Sequence, residues 1–166
     1  LGELEQILSG VAKGRGFELA IVGEAGMGKS RMMHELRYVA RKLDLGILRG
    51  SCASHLSSQP WSLMASMLRN QLGLNEYEEE ETALLAVESL LEEFSEDPDR
   101  HERVGVIAHI LGYRYPACSI DSLSARERDK LLEDTLGKFL LQEASRSPLI
   151  IVFDDLHWVD KPSVRF

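Results

Sequence analysis

The sequence predicts an α/β fold, in which helices cover a parallel sheet. Two mostly apolar runs, residues 17–22 and 149–153, have the length of strands, and the second run is rich in β-branched residues. The second run is apolar throughout and predicts a strand that is covered on both faces of the sheet. Between the two runs, apolar residues recur at spacings of three and four, which is typical of helices that bury one face.

The N-terminal part of the chain predicts a helix, a strand, a second helix and a second strand, in that order. Apolar residues at helical spacing predict the first helix, and residues 13–16 end it. The strand 17–22 leads into a glycine-rich segment, which precedes a helix with one apolar face. A short strand is expected at 46–49, and the small and polar residues of 51–60 predict a loop.

The middle of the chain, residues 51–145, predicts a mainly helical insertion. Three of its segments show helical spacing: 61–72, 82–94 and 103–111. Ser124 and Glu127 predict a capping box at the start of a long helix, which Pro148 ends. One stripe of that helix is expected to be buried, and it consists of Leu131, Leu132, Thr135, Leu136, Phe139 and Leu140.

Composition and charge predict a single globular domain over residues 1–166. The chain is 44% hydrophobic and 28% charged, which is ordinary for a domain with a buried core. A formal net charge of −8 argues against direct binding to nucleic acid, because a phosphate-binding surface is basic. No apolar run approaches the roughly 18 residues of a membrane span, so no membrane contact is expected. Cys52 and Cys118 favour free thiols, and with them a cytoplasmic location.

The segment GEAGMGKS at 23–30 satisfies the phosphate-loop (Walker A) pattern G-x-x-x-x-G-K-[ST] between a predicted strand and a predicted helix. Its glycines let backbone N–H groups converge on phosphate oxygens at the positive end of the helix. Lys29 is placed to reach the β- and γ-phosphates, and the Ser30 hydroxyl to ligate Mg²⁺. ATP and Mg²⁺ are therefore the expected ligands. The expected nucleotide-binding residues are Gly23, Glu24, Ala25, Gly26, Met27, Gly28, Lys29, Ser30 and Arg31.

Two acids, Asp154 and Asp155, follow the strand 149–153 and complete a Walker B pattern. In P-loop enzymes a carboxylate at the end of such a strand holds Mg²⁺ opposite the Ser or Thr of the loop. Asp154 is the expected metal ligand, together with Ser30. Asp155 is expected to orient the attacking water, so Asp155 and Lys29 are the candidate catalytic residues.

The two motifs resemble the signal-transduction ATPases with numerous domains, the STAND group of the AAA+-like P-loop ATPases. The likeness rests on GEAGMGKS, on LIIVFDDLHWVDKPS at 149–163, on RGSC at 49–52 and on the pair Pro60 and Trp61. It is strongest to the ATPase modules attached to bacterial class III adenylate or guanylate cyclases, large LuxR-type regulators and some serine/threonine kinases. The resemblance implies a three-layer fold around a parallel sheet of the AAA+ type.

In the resembled group a sensor strand, further strands and a helical lid follow Walker B. The strand after Walker B lies between the Walker B strand and the phosphate-loop strand. The few residues after Asp155 cannot hold these elements. The sequence is therefore expected to be an incomplete P-loop ATPase domain that lacks the C-terminal part of its core.

The resemblance implies an ATP-binding, slowly hydrolysing regulatory module within a multidomain signalling protein. Its implied partners are the other domains of the same polypeptide, with nucleotide-dependent self-association. Two alternatives stay open: a small-molecule kinase with an acceptor pocket in the helical middle, and a nucleotide-binding interaction module without turnover, for which Asp155 is the discriminating residue. His157 and Trp158 either sense the γ-phosphate or pack an indole under the nucleotide site.

Overall fold

The computed structural model describes residues 2–24, 26–94, 96–116, 118 and 120–166. Its helices and strands are α1 (Gly2–Val11), α2 (Lys29–Lys42), β1 (Gly46–Ser51), α3 (Ser62–Leu72), α4 (Glu80–Leu90), α5 (Arg100–Ile110), α6 (Ala125–Arg146), β2 (Leu149–Asp154) and α7 (Lys161–Arg165). Short 3₁₀ turns are found at Ser54–Leu56, Glu92–Phe94, Ile120–Ser122 and Leu156–Trp158. In the described part of the chain, no helix is both long and apolar enough to cross a membrane.

Strands β1 and β2 pair in parallel. The Gly46 N–H donates to the Pro148 carbonyl at 3.0 Å, and the Cys52 N–H donates to the Asp154 carbonyl at 3.0 Å, so the pairing advances along both strands together. The strands predicted at 46–49 and 149–153 are therefore confirmed, and both extend further than predicted.

Two expectations about the sheet are wrong. Residues 17–22 form no strand, and Val22 is 91% exposed, because no described strand lies beside this segment to bond its backbone. Strand β2 is covered on one face only, since Val152 is buried whereas Ile151 and Phe153 are exposed. The described sheet contains β1 and β2, so the three-layer sheet is not confirmed.

Polar side chains of α3 cover the outer edge of β1. The Ser51 N–H donates to Ser66 Oγ at 3.0 Å, and Asn70 Nδ2 donates to the Arg49 carbonyl at 2.9 Å. Both backbone groups point away from β2, because alternate residues of a parallel strand bond to opposite sides. An edge that would otherwise offer unpaired backbone groups is thereby satisfied within the chain.

The chain divides into two compact units. Unit 1 comprises Leu1–Ile47 with Leu141–Ile151, and unit 2 comprises Leu48–Leu140 with Val152–Phe166. In unit 1, α1 packs against α2. The buried residues of these two helices include Leu4, Leu8, Leu36, Val39 and Ala40.

Unit 2 holds the helices of the predicted insertion. Helix α3 packs against α4, α5 and α7, and α4 packs against α5. The largest fully buried side chains that the structure describes all lie here: Leu63, Met64, Met67, Leu68, Val87, Leu91, Val104, Val106, Ile107, Leu111, Leu132 and Leu136. A core of this kind follows from apolar residues at helical spacing on each helix.

The predicted helices of the middle segment are confirmed with shifted bounds. The segment predicted at 82–94 is helical in two pieces, α4 and the 3₁₀ turn Glu92–Phe94. The predicted capping box is present, since the Ser124 N–H donates to Glu127 Oε2 at 2.8 Å and the Glu127 N–H donates to Ser124 Oγ at 3.3 Å. Four residues of the predicted stripe of α6 are buried, Leu132, Thr135, Leu136 and Phe139, whereas Leu131 and Leu140 are half-buried.

A buried arginine joins α5 to α6. Arg103 is 3% exposed, and it donates from Nε to Asp97 at 3.0 Å and from Nη1 to Asp134 at 2.7 Å. The same Nη1 lies 3.1 Å from Thr135 Oγ1. The hydrogen bond from Arg103 holds the pKa of the Asp134 carboxyl below its usual range. A guanidinium can be buried here because its Nε and Nη1 donate to carboxylate and hydroxyl oxygens.

A buried carboxylate links the start of α3 to the start of α7. Asp160 is 1% exposed, and Oδ1 accepts hydrogen bonds from the Trp61 N–H at 2.8 Å and from the Ser163 N–H at 3.0 Å. Oδ2 accepts from the hydroxyls of Ser62 and Ser163 at 3.1 and 2.7 Å and from the Leu63 N–H at 3.3 Å. One aspartate therefore caps the N-termini of two helices.

Trp61 depends on this cap for its backbone conformation. Its φ of 63° is left-handed, which is unfavourable for a bulky residue. The buried indole donates from Nε1 to Asp129 Oδ1 at 2.8 Å and meets the Phe166 ring edge to face, with 6.3 Å between ring centroids. These contacts and the bond to Asp160 hold the strained turn that starts α3.

Removing the charge of Asp160 should destabilise the chain in a pH-dependent way. Burial alone would raise the pKa of this carboxyl, but the hydrogen bonds from Ser163, Trp61 and Leu63 outweigh burial and lower the pKa. The ionised form therefore stabilises the fold above the unfolded pKa of about 3.9, and this stabilisation is lost as the pH falls through the folded pKa.

We expect Asp160→Asn to lower the free energy of unfolding by about 1–3 kcal/mol at pH 6. Urea unfolding of both proteins between pH 2.5 and 7 measures this. The difference between them should shrink below about pH 4. Asp121→Asn, at an exposed carboxylate, is the matched control and should change stability by less than about 0.5 kcal/mol. A difference that is the same at every pH would contradict the assignment.

Backbone N–H groups of residues 17–22 should exchange with solvent faster than those of strand β1. None of the backbone N–H groups of 17–22 donates a hydrogen bond in the described structure, whereas β1 is bonded on both sides. Peptides covering 17–22 should therefore exchange close to the rate of an unfolded chain, and peptides covering 46–52 should be protected. Mass spectrometry of the exchanged peptides measures this difference. Equal protection of both segments would show that 17–22 is a paired strand.

Candidate functional site

Two glycines of the glycine-rich loop have left-handed backbone conformations. Gly26 and Gly28 have φ angles of 84° and 89°, in the left-handed region that glycine adopts without strain. Gly28 is also the N-cap residue of α2, and no side chain caps this helix. Ala25, one of the expected binding residues, lies outside the described residues. Gly23, Glu24 and Met27 are exposed.

Lys29 is folded over the loop that precedes it. Its Nζ donates to the carbonyl of Gly23 at 2.7 Å and to that of Glu24 at 2.8 Å. Ser30 and Arg31 follow on the first turn of α2, and both are exposed, with no described hydrogen bond from their side chains. The first turn of α2 contains no acid. The loop thus presents an ammonium, a hydroxyl and uncapped backbone N–H groups.

These features fit a phosphate group. The first N–H groups of a helix lack partners within the helix and carry the positive end of its dipole. A phosphate oxygen is the natural acceptor for such donors, and the Lys29 ammonium adds a full positive charge beside them. The Ser30 hydroxyl is a hard oxygen donor of the kind that Mg²⁺ prefers.

Asp154 ends strand β2 and is bound by an arginine. Its Oδ2 lies 2.6 Å from both Nε and Nη2 of Arg49, on the neighbouring strand β1. The side chains of Arg49 and Asp154 are 44% and 25% exposed. Among the described residues, Oδ1 of Asp154 has no hydrogen-bond partner. An oxygen of the expected metal ligand is therefore available to a cation.

Asp155 has a fixed backbone and an unrestrained side chain. Its φ of 55° is left-handed, and its carbonyl accepts the Trp158 N–H at 2.9 Å. The carboxylate is exposed and forms no hydrogen bond with a described residue. His157 and Trp158 are also exposed, with 5.0 Å between their ring centroids, and both interpretations of this pair stay predictions.

Cys52 lies beside this acidic segment. Burial raises the pKa of its thiol, and the negative charges of Asp160 and Asp155 raise it further. The thiol therefore stays protonated at neutral pH. Neither Cys52 nor Cys118 forms a disulfide in the described structure.

The predicted site residues fall into two groups. The phosphate loop belongs to unit 1, where the structure brings Lys29 together with Gly23 and Glu24. Asp154 and Asp155 belong to unit 2, where Asp154 meets Arg49. A joint Mg²⁺ site of Ser30 and Asp154 stays a prediction.

A family model described as AAA ATPase domain matches residues 1–166. The chain belongs to the AAA ATPase domain family. This confirms the expectation of an AAA+-like P-loop ATPase module, and membership implies the P-loop α/β fold, nucleotide binding and ATPase activity as family properties. No curated protein and no solved structure matches the sequence.

Sequence reasoning missed three residues that shape this AAA ATPase domain: Arg49, Asp160 and Trp61. All three stood only within segments that carried the resemblance: Arg49 in 49–52, Trp61 in the pair with Pro60, and Asp160 in 149–163. The one local signal was the spacing of Asp160 and Ser163, which is that of an N-cap residue and its third helical position. Their partners on other elements are not visible in the sequence.

Proposed function

We propose that this AAA ATPase domain binds Mg²⁺-ATP and hydrolyses it slowly, as the regulatory switch of a multidomain signalling protein. The observation that carries the proposal is the phosphate loop, in which Lys29 and the uncapped start of α2 follow two left-handed glycines. The regulatory part rests on the resemblance of the two motifs to STAND ATPases. A fold by itself supports a site and not its biological use.

Nucleotide binding is assigned to the loop and the first turn of α2. Backbone N–H groups and Lys29 would hold the phosphates, and to do so the Lys29 ammonium exchanges two carbonyl acceptors for phosphate oxygens. The exchange is favourable because a charged acceptor forms a stronger hydrogen bond than a neutral one. The expected contact residues are those of 23–31, including Ala25.

Asp154 and Ser30 would hold Mg²⁺, which, when bound, neutralises phosphate charge. Asp155 would accept a hydrogen bond from the attacking water, since its carboxylate has no partner among the described side chains. No described residue restrains that carboxylate, however. A base that is not preorganised gives a smaller rate enhancement, which supports slow turnover.

The unrestrained carboxylate of Asp155 also favours a second candidate, a nucleotide-binding module without turnover. The two candidates share the loop and differ in the role of Asp155. Partner domains of the same polypeptide and nucleotide-dependent self-association belong to the first proposal, because a switch needs an output that reads the bound nucleotide.

Lys29→Ala should weaken ATP binding by about 10- to 100-fold, the loss of one or two charge-assisted hydrogen bonds. Titration of ATP in the presence of Mg²⁺, followed by calorimetry, measures the dissociation constants. Arg41→Ala is the matched control, because Arg41 is an exposed cation near the other end of α2. Equal dissociation constants for the wild type and Lys29→Ala would remove the phosphate-loop assignment.

Asp155→Asn should keep Mg²⁺-ATP binding and lower the turnover rate by about 100-fold. Asparagine is the correct replacement because it tolerates the left-handed backbone, whereas alanine would add strain. Asp154→Asn should instead impair both Mg²⁺-dependent binding and turnover. A phosphate-release assay measures the turnover. Full activity of Asp155→Asn would contradict the role assigned to Asp155. A wild type that binds ATP without turnover would favour the second candidate.

A further inference from the structure

Arg49 forms a salt bridge with Asp154, the expected metal ligand. Arg49 approaches Asp154 with two nitrogens, and both bind the same oxygen, Oδ2. The carboxylate therefore has a defined orientation in which Oδ1 has no hydrogen-bond partner among the described residues. Because Arg49 binds only Oδ2, it compensates the charge of Asp154 without blocking access of a cation to Oδ1.

The backbone on both sides of this pair is fixed. The Arg49 carbonyl accepts from Asn70 on α3, and the Asp154 carbonyl accepts the Cys52 N–H of β1. The two side chains thus start from neighbouring strands whose register is set by hydrogen bonds. The strand pairing therefore brings the two residues close together, and the ordering of the Arg49 side chain is the remaining conformational cost of their contact.

We propose that Arg49 is the resident counter-ion of Asp154, and that it orients this carboxylate while suppressing its affinity for a free divalent cation. The inference rests on the proposed function, in which Asp154 is the Mg²⁺ ligand. With Arg49 in place, a cation meets a carboxylate whose charge is already compensated. Binding of a divalent cation then depends on the extra oxygen ligands that nucleotide phosphates supply.

The expected size of the effect follows from the proximity of the charges. An opposite charge a few ångströms from a carboxylate lowers the affinity of that carboxylate for a metal cation by electrostatic compensation. The pair is partly exposed to solvent, which screens this effect. Removing the Arg49 charge should therefore tighten cation binding by about tenfold.

The test measures Mn²⁺ binding to the nucleotide-free chain by electron paramagnetic resonance. Arg49→Gln should bind Mn²⁺ about tenfold more tightly than the wild type, and Arg49→Lys, which keeps the charge, should lie within about threefold of it. The gain should vanish in Arg49→Gln with Asp154→Asn. Arg41→Gln, at an exposed arginine of unit 1, is the control for a general change in net charge and should match the wild type.

A measurement on the unmutated chain covers the case in which Arg49→Gln does not fold. The Nε–H resonance of Arg49 should shift when ATP is added with Mg²⁺, and shift less when ATP is added with a chelator. Unchanged Mn²⁺ affinity in folded Arg49→Gln, or the same resonance under both conditions, would overturn the inference. If the wild type binds ATP while either result is found, only this inference fails. If it does not bind ATP, the proposed function fails instead.

Discussion

The contact between α3 and α7 in unit 2 depends on a buried charge, the carboxylate of Asp160. A buried carboxylate is tolerated only when its oxygens are satisfied, and five hydrogen bonds from Trp61, Ser62, Leu63 and Ser163 meet that condition. The donors belong to the first residues of α3 and α7, which have no other side-chain cap. The chain therefore joins the segment after β2 to the helical region through a polar contact that no apolar residue could replace.

This anchor determines how the acids at the end of β2 are held. On one side, the pairing of β1 and β2 fixes the backbone of Asp154, and on the other, Asp160 fixes the end of the turn that follows. Asp155 lies between these points and has a left-handed backbone conformation. A backbone that is fixed at both ends keeps the Asp155 Cα in place, although the side chain remains unrestrained.

Local signals in the sequence were sufficient for most of the helices and for the phosphate loop. The capping box of Ser124 and Glu127 closes over three residues, and the motif at 23–30 carries its chemistry in its spacing. The strand expected at 17–22 shows the limit of such signals, because a strand also requires a neighbour. Contacts across about 100 residues, such as Arg49 with Asp154 and Trp61 with Asp160, leave no periodic pattern and needed the structure.

Two adjacent acids in this chain have opposite environments. Asp154 is half-buried and compensated by Arg49, whereas Asp155 is exposed and has no charged partner among the described residues. Neighbouring carboxylates that differ in this way can take different tasks, since one has a defined orientation and the other is free to follow a ligand. The left-handed step at Asp155 contributes to the difference, because it turns the chain out of the strand directly after Asp154. The proposed division of roles between metal ligand and water-orienting base would thus have a structural origin in the backbone at the end of β2.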